Sequence, residues 1–135
     1  MNIEEIREYC ISKKATTEEF PFDETTLVFK VMGKMFACID INNPEWLDLK
    51  CDPEYALELR ERYMGIEGAF HFNKKYWNQV ATEGDVPDHL IRQLIDHSYD
   101  EVVKKFTRKM KEELEIHPQD ERRTGEGLKD RQTTF

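Results

Sequence analysis

The chain has 135 residues, of which 39% are hydrophobic and 11% aromatic, enough for one domain with a modest core. Its 20 basic and 28 acidic residues leave a formal charge of -8, which weighs against a strongly electropositive nucleic-acid binder but leaves room for a local basic patch. No apolar run approaches the ~20 residues of a bilayer-spanning helix, and Glu4, Glu5 and Glu8 are unlike a signal peptide, so the expected location is cytoplasmic, with no membrane partner.

The spacing predicts a first helix from Asn2 to about Lys13, capped by Asn2 or its neighbour, with Ile3, Ile6 and Cys10 on one face and Glu4, Glu5 and Glu8 outward. "PFDETT" breaks the pattern. "TLVFKVMGKMFACIDI" reads as two strands joined at Met32-Gly33, where glycine supplies the backbone freedom of a tight turn. Leu27, Phe29 and Val31 face one way; Lys30 and Val28 face the other. After the turn "NNP", "WLDLK" is a short strand in which Trp46 and Asp48 oppose Leu47 and Leu49. "CDPEYALELRERYMG" is a helix: Asp52 is a good N-cap, Pro53 fits the first position, and Gly65 ends it.

"AFHF", "NKKY" and "WNQVAT" then read as strand, turn and strand. The stretch from Val86 to Leu114 is helical by period, and Ser98 and Glu101 match a capping box that predicts a kink or break at His97-Ser98. A polar tail over 117–135 is expected to be flexible or laid on the surface, leaving a single domain over 1–116. The three cysteines, Cys10, Cys38 and Cys51, have no C-x-x-C spacing and read as small core hydrophobes. The resulting order, α-β-β-β-α-β-β-α, predicts an α+β fold with helices on one face of an antiparallel sheet.

The segments "FPFDETTLVFKVMGKMFA", "LKCDPEYALELRERY", "FHFNKKYWNQV" and "PDHLIRQLIDHSYDEVVKKF" together resemble the MmcQ/YjbR family, in order from about Ile3 to Phe106. The resemblance implies a small bacterial cytosolic protein with a CyaY-like fold. It also implies a DNA-binding label resting on two hairpin "wings", with no catalytic residue set. Members usually carry a Pro-Gly-Tyr-like segment before the histidine; here "IEGAFH" keeps Gly68 and has Phe70 in place of the tyrosine. The chain beyond Lys111 lies outside the resemblance.

"GAFHFNKKYWNQV" is the segment with the most functional character, having no acidic residue in an acidic protein. As a nucleic-acid surface, Lys74 and Lys75 would neutralise phosphates and Asn73 would hydrogen-bond a phosphate or base edge. His71 and Trp77 would orient or support the hairpin. Lys30, Lys34 and Lys50 from the first three strands would join the same face, so the expectation requires these lysines to gather into one basic patch.

Asn-Lys-Lys is also ordinary turn composition, and two cations in 68–82 are few for phosphate-driven binding. The opposing expectation is a protein-interaction module whose lysines form a solvated face. A further alternative is weak, frataxin-like metal binding by the acids of the first segment, Glu4, Glu5, Glu8, Glu18, Glu19, Asp23 and Glu24. His71, His89, His97 and His117 form no metalloprotease array. Ser98 beside His97 is not a nucleophile–base pair, because helix neighbours point about 100° apart. The protein is therefore expected to be non-enzymatic, without a cofactor, and to bind DNA or another protein.

Overall fold

The computed structural model describes residues 1–117. Apart from His117, the expected tail over 117–135 lies outside the described residues. The elements in chain order are α1 (Ile3–Ile11), β1 (Thr16–Glu19), β2 (Thr26–Val31), β3 (Lys34–Asp40), β4 (Trp46–Lys50), α2 (Pro53–Arg62), β5 (Ile66–Gly68), β6 (Trp77–Ala81), α3 (Asp88–Val103) and α4 (Arg108–Glu115). The six strands form one antiparallel sheet in the order β1-β2-β3-β4-β6-β5.

Strand alternation decides which face is covered. Leu27, Phe29, Ala37, Ile39, Leu47, Leu49 and Val80 point to one side and are buried there with Ile6 and Cys10 of α1, Ala56 and Leu59 of α2, and Ile91, Leu94 and Ile95 of α3. Each large apolar side chain in this layer contributes roughly 1.5–3 kcal/mol through removal from water. α3 crosses β3 and β4, while α2 packs on β5 and α1 on β1.

Among the described residues the other face carries no helix. One row crosses it by strand register: Glu19, Val28, Cys38, Asp48, Gln79 and Glu67. Its cover comes instead from the β1–β2 and β5–β6 loops. All three cysteines are buried free thiols.

Local chemistry sets the element ends. Asn2 accepts from the Glu5 backbone amide at 2.8 Å, and the Glu5 carboxylate accepts from the Asn2 amide at 3.0 Å, a reciprocal cap. Asp52 caps α2, with Pro53 in its first turn. Met32 (φ 48°) and Gly33 (φ 85°) make a two-residue turn with both central residues in the left-handed region, the hairpin geometry that matches sheet twist.

Three expectations need correction. The sheet gains an edge strand, β1, whose "TTEE" has no hydrophobic alternation; it pairs only with β2. α3 runs unbroken through His97-Ser98, because the Ser98 hydroxyl is engaged elsewhere: it donates to the Phe36 carbonyl at 2.5 Å and accepts from the Lys50 amide at 2.9 Å. The break falls instead before α4, where Thr107 accepts from the Met110 amide at 3.2 Å. Finally, β5 ends at Gly68 and β6 begins at Trp77, so His71 and Phe72 lie in a loop rather than in a strand.

Candidate nucleic-acid interface

The five lysines expected to converge occupy three environments. Lys30, on the helix-free face of β2, is paired with Glu19 of β1 at 3.0 Å, which cancels its charge locally. Lys74 and Lys75 sit on the 69–76 loop. The Lys74 stem runs along Gly68, where an added Cβ would meet Lys74 Cβ and Cγ at 3.2 Å, and its ammonium lies 5.7 Å from the Phe70 ring centre. Lys75 lies 5.5 Å from the ring of Tyr76.

Lys34 and Lys50 do come together. Lys34 begins β3 and Lys50 ends β4, antiparallel neighbours, so both lie at the same end of the sheet. They line a cleft of about 490 Å³ where α3 gives way to α4, together with Lys105, Phe106, Thr107 and Met110. Neither Lys74 nor Lys75 lines it. Among the described residues none of Lys34, Lys50 and Lys105 is in an ion pair, whereas the neighbouring Lys104 is held by Glu101 at 2.9 Å. Arg108, Lys109 and Lys111 follow, all exposed.

Loop 69–76 is fastened to α2 through Arg60. Asn73 accepts from the Lys75 amide at 2.9 Å and its carbonyl from the Tyr76 amide at 3.1 Å, so its side-chain oxygen is committed to the turn. The Arg60 guanidinium donates to the buried Asn78 at 2.7 Å and to the Lys74 carbonyl. Trp77 is half-buried and stacks on Phe72 at 4.8 Å. His71 is exposed, meets Phe70 edge to face at 4.9 Å, and lines a different cleft, on the helix-free face, with Phe72, Cys38 and Asp48.

Two groups escaped the sequence reading. "KKFTRKMK", 104–111, has five cations in eight residues, a signal that was present but masked by the helical period of the segment. Asp48 stood out only as a carboxylate between two leucines. In the fold, burial pushes its carboxyl up from 3.8 to about 6, with His71 opposing that rise.

Among the described residues no group of three or more His, Cys, Asp or Glu side chains is placed to hold a metal ion. Glu18 is held by Arg7 at 2.5 Å and Glu19 by Lys30, so two of the acids proposed as a metal ridge are spent on cations. No described helix is long and apolar enough to cross a membrane.

Fold and surface together define a small single-sheet α+β protein, among whose described residues one sheet face is bare of helices and one sheet end is basic. The chain belongs to the YjbR family, whose model matches residues 11–101. It is 32% identical over 104 residues to the Escherichia coli K12 protein YjbR, described as uncharacterized, covering 76% of this chain and 88% of that one. Similarity to YbdF of Escherichia coli O157:H7, also described as uncharacterized, is 33% over 85 residues, 62% of this chain and 70% of the relative. The crystal structure of Deinococcus radiodurans protein DR2400, a DUF419 domain, superposes with a TM-score of 0.79 at 40% identity, covering 85% of this chain and 88% of that one. A Pseudomonas syringae crystal structure matches at 0.63 and 28% identity, over 73% and 96% of the two chains.

Proposed function

We propose that this YjbR-family protein is a non-enzymatic cytoplasmic module that binds nucleic acid, DNA foremost, through the cleft lined by Lys34, Lys50 and Lys105. The observation carrying this reading is that three lysines, from β3, β4 and the turn between α3 and α4, border one cleft and none is neutralised by a carboxylate among the described residues. Unpaired ammonium groups attract phosphate by charge and release the counterions condensed on it. Arg108, Lys109 and Lys111, in the N-terminal half of α4 next to the cleft residue Met110, would give a backbone of regularly spaced phosphates more than one point of contact. Lys30, tied to Glu19, adds little in this reading. Lys74 and Lys75 are a secondary contact at most, since their ammonium groups lie over aromatic rings away from the cleft lining.

Fluorescence anisotropy with a labelled mixed-sequence duplex tests it. Three to four phosphate contacts predict a slope of log affinity against log salt of about -3. Lys34→Glu with Lys50→Glu abolishes binding, while Lys74→Glu with Lys75→Glu leaves most of it. Absence of binding at low salt contradicts the proposal and favours a protein partner.

A further inference from the structure

A second cleft, of about 580 Å³, opens on the helix-free face of the sheet and shares no residue with the basic one. Cross-strand partners Cys38 and Asp48 form its floor; Phe22 from the β1–β2 loop and His71 and Phe72 from the β5–β6 loop form its walls. Phe22 is 64% exposed, so its ring is accessible at the cleft wall. Phe72 is held in place by stacking on Trp77.

Among the described residues the charged and titratable groups that line this cleft are Asp23, Asp40, Asp48, His71 and the Cys38 thiol, with no lysine or arginine. Two of the carboxylates are already used. Asp23 accepts from the Thr25 and Thr26 amides at 2.9 and 2.7 Å and from the Thr26 hydroxyl at 3.0 Å; Asp40 accepts from the Asn42 amide at 2.9 Å. Asp48 is half-buried, yet has neither a hydrogen bond nor an ion pair among the described residues. A carboxylate in that position is costly to the fold, and such groups concentrate at binding sites. The Cys38 thiol is pushed up to about 12 by burial and then by Asp48, Asp23 and Asp40, so it stays a neutral thiol and acts as apolar lining.

We propose that this cleft binds a small organic cation, a primary ammonium or guanidinium on a short apolar or aromatic body, with Asp48 as counter-ion and Phe22 and Phe72 as walls. The cation supplies the hydrogen bonds Asp48 lacks, its body takes the apolar volume, and the ring faces add cation–π attraction. The net charge of -8 favours approach of a cation.

The probe is phenethylammonium, followed by chemical-shift titration of the full chain, with phenethyl alcohol as the uncharged counterpart. The expected result is saturable shifts at Cys38, Asp48, His71 and Phe72, with a dissociation constant of about 1 mM and at least tenfold weaker binding of the alcohol. Asp48→Asn loses at least tenfold affinity while keeping its fold, as its own spectrum reports. Affinity falls as pH drops through about 6, where Asp48 takes up its proton, and does so equally in His71→Gln, which removes the imidazole from the cleft wall. Equal binding of the alcohol, an unaltered Asp48→Asn, shifts elsewhere, or no saturation by the amine overturns the proposal. None of these outcomes depends on the basic cleft or on whether it binds DNA.

Discussion

Burial holds the Asp48 proton more tightly in the folded chain than in the unfolded one. A carboxyl raised in this way stabilises the fold fully below its unfolded value near 4, and the contribution is lost as pH rises through about 6. At neutral pH the ionised group is therefore a burden on stability. Asp48→Asn removes it with nearly the same shape. Because Asp48 is partly exposed, solvent screening trims the effect to about 1–2 kcal/mol. Urea denaturation is expected to show the variant more stable by that amount at pH 7.5, with the gap closing at pH 4. A variant destabilised equally at both values contradicts the assignment. A gain in stability combined with a loss of amine binding is the trade expected when a strained group is kept for binding.

At the scale of elements, α3 is joined to the sheet by more than apolar contact. Ser98 is fully buried and bonds two backbone groups, the Phe36 carbonyl and the Lys50 amide, while His97 accepts from the Asp52 amide at 3.1 Å. Ser98→Ala leaves a buried acceptor, the Phe36 carbonyl, and a part-buried donor, the Lys50 amide, without the hydroxyl they now bond. The expected cost is about 1–3 kcal/mol in denaturant unfolding, with faster amide exchange at Lys50. Unchanged stability would show that water replaces the hydroxyl.

The same serine shows where sequence reading stops. Met32-Gly33 and Asp52-Pro53 were legible because turn and cap chemistry act within four residues. Ser98 and Glu101 presented an equally good local signal, but the hydroxyl partners of Ser98 lie 48 and 62 positions away. β1 was illegible for a related reason: "TTEE" becomes a strand through its pairing with β2. Of the candidate site, the strand-end placement of Lys34 and Lys50 followed from the predicted hairpins. Their meeting with Lys105 did not, because it depends on α3 ending at Val103 and the chain turning there towards α4. The pairing of Lys30 with Glu19 was hidden by the same missing strand.

For the molecule as a whole, charge is divided unevenly. The total of -8 opposes approach of a polyanion at long range, while the end of the sheet beside α4 is locally basic. If DNA binds as proposed, its association would be a short-range event, weak and strongly dependent on salt, with affinity on the order of micromolar at low ionic strength. The amine cleft has the opposite electrostatic character, and a cation bound there does not compete for the basic end.

Amide chemical-shift mapping of the full chain during titration with a short mixed-sequence duplex at low salt is the most direct measurement. The account predicts perturbations concentrated at Lys34, Met35, Lys50, Lys105 and Arg108, with little change at 69–76 and along the Val28–Cys38–Asp48 row. Perturbations centred on Lys74 and Lys75, or none anywhere, would contradict it.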